Sequence, residues 1–197
     1  MKSTLDYFTS LQETLAAIAH EDIETTIGLM WSNYVGGRRT VFCGNGGSAA
    51  TASHLPADFQ KTMFLEGGRA WECLSIVDSV PLLTAWGNDT SYANVFAAQA
   101  QCWLRPGDLL IAISGSGNSP NVLEAIKAAR GLGATTIAWT GFGGGQASSL
   151  AEYNIIVPSN NMQVVEDVHM VMGHAIFTVI RDRMLSQAGT ADASARV

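Results

Sequence analysis

The sequence predicts an α/β fold: a three-layer sandwich with a parallel β-sheet between helices. Three observations carry that expectation. Short apolar runs alternate with segments of helical periodicity from residue 40 onward. Two of the runs pass directly into glycine- and serine-rich turns, VFCGNGGS and LLIAISGSGNS, followed by helical sequence. No internal repeat and no linker interrupts the pattern, so the 197 residues read as one domain, large enough to bury a core.

The elements follow in order. Over residues 4–33, Leu5, Phe8, Leu11, Leu15, Ile18, Ile23, Ile27 and Met30 recur at helical spacing, as in one or two amphipathic helices. Gly36 and Gly37 break that pattern, and residues 40–43 form the first strand. A helix spans 48–64, a second strand 71–76, and helical sequence returns over 81–86 and 92–100. Residues 109–114 form the third strand, and 121–131 a helix ended by Gly131. Residues 135–139 form a fourth strand, 146–150 a short helix, and 153–157 a fifth strand. A long helix over 163–185 closes the fold, leaving 186–197 as a flexible tail.

Composition narrows the function. The net charge is −6 and no basic cluster is present to neutralise phosphates in series, which excludes a nucleic-acid surface. No apolar run reaches the length of a membrane span, and the N-terminal MKSTLDYFTSLQET lacks the apolar centre of a signal peptide. Cys43, Cys73 and Cys102 are odd in number, widely spaced and without a CxxC pair. They read as reduced thiols of a cytoplasmic protein, in or near strands. With 47% apolar and only 14% charged residues, a surface partly covered by other subunits is expected. The five tryptophans (Trp31, Trp71, Trp86, Trp103 and Trp139) sit beside apolar runs and read as core or interface residues.

The two turns carry the chemistry. At the carboxyl ends of parallel strands, glycines let backbone amides approach an anion, helix N-termini add positive potential, and serine hydroxyls add donors. Asn45, Gly46, Gly47 and Ser48 occupy the first turn; Ser114, Ser116 and Ser119 occupy the second. One such turn is ordinarily an N-cap and a tight bend; two favour an anion site. Without GxxxxGK[ST] or GxGxxG, a phosphomonoester on a small molecule suits them better than a nucleotide.

A second set lies on the predicted helices. His54 and Asp58 are four apart and share a helix face, and Glu166 and His169 are three apart and share another. His174, five beyond His169, points well away from it. Taken singly, such residues are usually structural. As histidine and carboxylate on two segments they are the types a zinc site uses, while spacing alone does not bring the segments together.

CGNGGSAATASH and ISGSGNSPNVLEAIKAARGLGATTIAWTG, together with WGNDTSYANVF and VEDVHMVMGHAIF, resemble the sugar-isomerase (SIS) domain in its phosphoheptose isomerase branch. The resemblance runs from about Leu5 to Met184. It implies a five-stranded parallel sheet and a homotetramer contacted through helices in residues 1–35. It implies a sugar phosphate held by Ser48, Ser114, Ser116 and Ser119, with Asn45, Asp89 and Glu166 near the sugar. It further implies one zinc per subunit, held by His54, Asp58, Glu166 and His174. The common pattern has glutamate and glutamine where this chain has Asp58 and Glu166. The shorter aspartate sets its carboxylate back, and the added charge of Glu166 would hold a dication more tightly. Asp58 and His174 would share the acid and base roles in converting sedoheptulose 7-phosphate to D-glycero-D-manno-heptose 7-phosphate through an enediol. The alternative is a non-catalytic relative, a sugar-phosphate-binding regulator or a protein associating with the replication initiator. Ionisable groups at 58 and 174 favour the enzyme.

Overall fold

The structure, a computed structural model, describes residues 3–194, with side chains through 187. Its elements are α1 (Thr4–Ala16), α2 (His20–Val35), β1 (Thr40–Gly44), α3 (Gly46–Ala57), α4 (Met63–Leu65), β2 (Cys73–Ser75), α5 (Val80–Asp89), α6 (Val95–Trp103), β3 (Leu109–Ser114), α7 (Pro120–Gly131), β4 (Thr135–Thr140), α8 (Gly145–Leu150), β5 (Tyr153–Ile156) and α9 (Met162–Ser194). All strand pairs are parallel and the order is β2-β1-β3-β4-β5.

Side chains alternate between the faces of each strand, so one sheet feeds two cores. Phe42, Ile111, Ile113, Ile137, Trp139 and Ile155 point to one face, where α2, α3 and α9 pack Met30, Leu55, Val168, Met172 and Ile176 against them. Val41, Cys43, Leu110, Ala112 and Ala138 point to the other, under Phe96 of α6 and Val122, Ile126 and Ala129 of α7. The alanines on this second face let α6 and α7 approach closely. Strand order reverses between β1 and β3, the two strands that lead into the glycine–serine turns. Chains leaving the neighbouring strands toward opposite faces open a crevice at their carboxyl ends.

Several elements depart from the expected bounds. The first helical region is two helices. The helix expected over 48–64 is α3, then a π-helical turn at Asp58–Thr62, then α4. Pro56 has no N–H to return to the Ala52 carbonyl, and its ring crowds that carbonyl; the next turn widens to absorb the misfit. β2 is only three residues long, because Trp71 leaves the strand to pack against Tyr34 and Phe59. A 3₁₀ turn at Tyr92–Asn94 precedes α6. Cys43 and Cys73 are buried strand residues as expected, whereas Cys102 is exposed on α6. Trp139 and Trp71 are core residues, while Trp103 is 43% exposed. The last helix runs to Ser194, through most of the stretch expected as a tail; residues 195–197 of that stretch lie outside the described residues.

Candidate active site

The crevice between β1 and β3 holds a pocket of about 180 Å³, lined by Asn45, Ser48, Ser114, Ser116, Ser119 and Glu166. Asn45 and Ser119 are the N-cap positions of α3 and α7, so two helix N-termini converge on it. Ser48 is buried, and the Ser114 hydroxyl donates to the Ser119 Oγ at 3.3 Å. A Cβ at Gly47 would stand 2.3–2.5 Å from the Glu166 carboxylate, so the bare backbone here is what leaves that group its place beside the first turn.

The polar network around the pocket includes residues that sequence alone did not single out. Asn45 and Asn121 exchange two side-chain hydrogen bonds of 2.8 Å, and Tyr92 donates to Asn45 Oδ1 at 3.0 Å. Asn45 is therefore fixed by protein partners. Asn121, on the first turn of α7, and Tyr92, before α6, meet it only because the topology folds both turns to one end of the sheet. Asp89, expected near the sugar, is exposed at the end of α5, accepts a hydrogen bond from Asn88 and does not line this pocket. Gly46 opens α3 with φ +55° beside it.

Farther along the same helices lies a donor cluster. The Nε2 atoms of His54 and His174 are 2.9 Å apart, with the rings edge to face. Asp58 Oδ2 is 3.5 Å from His54 Nε2 and 3.7 Å from His174 Nε2. The sequence-predicted pair His54 and Asp58 does share a face, and α9 brings His174 to it. Glu166 is not in this group. It lies eight residues before His174, about 12 Å along α9 between backbone positions. Of the four residues expected around a metal, the structure brings the ligand atoms of His54, Asp58 and His174 together, while Glu166 lines the serine pocket.

The three donors fit a zinc ion. Ligands about 2.0–2.1 Å from a tetrahedral zinc lie roughly 3.3 Å from one another, and the three separations here straddle that value. Two imidazoles and a carboxylate match the donor set of catalytic zinc sites. The helices hold both sites in register. Gly47 faces Glu166, Leu55 faces Gly173 and His54 faces His174, so α3 and α9 run side by side in the same direction. Six residues of α3 separate Ser48 from His54, about 9 Å. The α1 helix braces the start of α9, where the Tyr7 hydroxyl donates to Asp167 at 2.5 Å. That carboxylate pushes the phenol up to about 12.

A doubly wound sheet with two serine-lined turns at its switch point defines an α/β domain built to hold a small anion. Comparison with known proteins gives the family. Residues 5–141 match the SIS domain. The phosphoheptose isomerase of Nitratidesulfovibrio vulgaris is 44% identical over 140 residues, 71% of this chain and 67% of that protein. The phosphoheptose isomerase of Rhodospirillum rubrum is 35% identical over 185 residues, 94% and 95% of the two chains. The solved phosphoheptose isomerase of Neisseria gonorrhoeae superposes with a TM-score of 0.84 at 29% identity, covering 91% of this chain and 97% of its own. The chain belongs to the SIS-domain family, in its phosphoheptose isomerase branch.

Proposed function

We propose that the chain interconverts sedoheptulose 7-phosphate and D-glycero-D-manno-heptose 7-phosphate, moving one proton between adjacent carbons through an enediol. The observation that carries this reading is the distance between the two sites. A phosphate in the serine cradle and a carbonyl at the histidine cluster are about 9 Å apart along α3, a span for an extended sugar of several carbons.

In this reading the hydroxyls of Ser48, Ser114, Ser116 and Ser119 and the N-termini of α3 and α7 hold the phosphate. Their binding energy positions the reacting carbons at the far end. Glu166, an acceptor only when ionised, takes sugar hydroxyls rather than phosphate oxygens. Asp58 turns one oxygen toward both imidazoles, leaving Oδ1 to take the proton from the carbon beside the carbonyl and return it to the neighbour. His174 serves the carbonyl oxygen as the partner acid. A zinc ion held by His54, Asp58 and His174 would supply Lewis-acid polarisation of the substrate oxygens.

The cellular context belongs to the same proposal: a cytoplasmic enzyme, active as a homotetramer. No helix among the described residues is long and apolar enough to cross a membrane. Leu5 and Phe8 are 71% and 63% exposed on α1, which supports burial of that helix against other subunits.

The test is turnover of sedoheptulose 7-phosphate by the purified chain, followed by NMR, with zinc added and after chelation. Conversion is expected, with loss on chelation and a drop of about 10²-fold or more in Asp58→Asn. A folded, zinc-loaded protein that binds the sugar phosphate without converting it would overturn the enzyme reading in favour of a regulator.

A further inference from the structure

We propose a second anion site at the opposite end of the sheet from the serine cradle, a pocket between Arg38 and Arg69 that takes a small phosphomonoester. It does not depend on the isomerase reading. The pocket, about 190 Å³, lies where the chain enters β1 and β2. Besides the two arginines, its wall includes the aromatic rings of Tyr34 and Trp71 and the carboxylate-bearing Glu72.

Both guanidinium groups are held in place by protein at one edge. Arg69 Nη2 donates to the Tyr34 carbonyl, and its guanidinium carbon stands 5.5 Å from the Tyr34 ring centroid. The Tyr34 hydroxyl in turn accepts the Arg69 backbone N–H at 2.8 Å. Arg38 lies over Gly107, with Nη1 donating to that residue's carbonyl at 3.4 Å. Gly107 has φ +85°, and a Cβ there would come within 2.8 Å of Arg38 Nη1, so the bare backbone is what seats this guanidinium. Each fork keeps further N–H donors beyond these tethers.

Charge sets the ligand. Neither Arg38 nor Arg69 pairs with a carboxylate among the described residues. Glu72 in the wall is already bonded to Arg39 Nε at 2.5 Å. Two arginines without a carboxylate partner among the described residues thus line one pocket in a chain of net charge −6. A carboxylate brings one charge and two oxygens to the two forks, whereas a phosphomonoester brings up to two charges and three terminal oxygens. It therefore binds the tighter, and acetate at equal concentration does not displace it. Because the forks are tethered beforehand, less side-chain freedom is lost on binding than for arginines extended into solvent.

Calorimetric titration of the full chain with glycerol 3-phosphate tests the site. Two binding events are expected in the wild type. The event at the cradle disappears in Ser114→Ala/Ser119→Ala, and the other weakens about tenfold or more in Arg38→Gln. Arg38 is exposed, so Arg38→Gln should melt and turn over substrate as the wild type does. Glycerol should not bind, and acetate should not compete. Quenching of tryptophan fluorescence through Trp71, present in wild type and lost in Arg38→Gln, reads the same event without any cradle variant. A single event abolished by the cradle substitutions, a second event indifferent to Arg38→Gln, or displacement by acetate would each overturn the proposal.

Discussion

His169 sits near the start of α9, fully buried, with its ring 6.3 Å from that of Trp139 and Nε2 3.3 Å from the Thr140 carbonyl. That carbonyl can only accept, so Nε2 carries the proton, and Nδ1 is left without a protein partner. Burial lowers the pKa from 6.5 to about 4, against the opposing pull of the Thr140 hydrogen bond. The ring is therefore neutral when folded and ties α9 to the end of β4. Just beyond, the Gly141 N–H bonds to the Gly115 carbonyl at 2.8 Å, under the second serine turn. Because the folded pKa is depressed, the unfolded chain binds more protons between pH 6.5 and about 4, and stability falls as pH drops through that window. The drop attributable to His169 between pH 7 and pH 5 is about 2 kcal/mol. Urea unfolding at the two pH values measures it. His169→Gln keeps a donor for Thr140 but does not titrate there, so it should narrow the difference by that amount; an unchanged difference would exclude His169 as its source.

At the scale of elements, α3 shows how a helix absorbs a breaker. Pro56 forces the π turn that begins at Asp58, while Asp58 itself still follows His54 by one α-helical turn. Pro56→Ala restores a backbone N–H, relieves the crowding and lets a regular α-helix continue. The expected outcome is a melting temperature equal to or above the wild type and kcat within about twofold of it, since the four-residue spacing that sets Asp58 beside His54 is unchanged. A tenfold loss of kcat would mean that the π turn sets the carboxylate. Sequence reading located His54 and Asp58 on one face because that depends only on helical period, and it located all five strands because their apolar runs are local. It did not find the π turn, the short β2 or the 3₁₀ turn, each of which answers to a tertiary contact such as Trp71 against Phe59. Nor did it show that Glu166 meets Gly47 at the first turn while His174 meets His54, a pairing that the packing of α9 on α3 decides.

The whole molecule joins these elements into a ruler. The reversal of strand order between β1 and β3 fixes where the serine turns meet, and α3 and α9, parallel and in contact from Gly47–Glu166 to His54–His174, fix how far away the donor cluster lies. Neither helix can shift along the other without breaking the packing of Leu55 on Gly173. Substrate length should therefore decide turnover more sharply than it decides binding. A triose phosphate fills the cradle but leaves its carbonyl short of Asp58; pentose and hexose phosphates come progressively closer, and a heptose phosphate spans the interval. The expected series, measured as kcat/KM with ketose phosphates of three, five, six and seven carbons, rises with chain length. Inhibition constants for the shorter members should stay within about tenfold of one another, because all of them use the same phosphate contacts. Comparable turnover of the triose and heptose phosphates would mean that the two sites do not act on the two ends of one substrate.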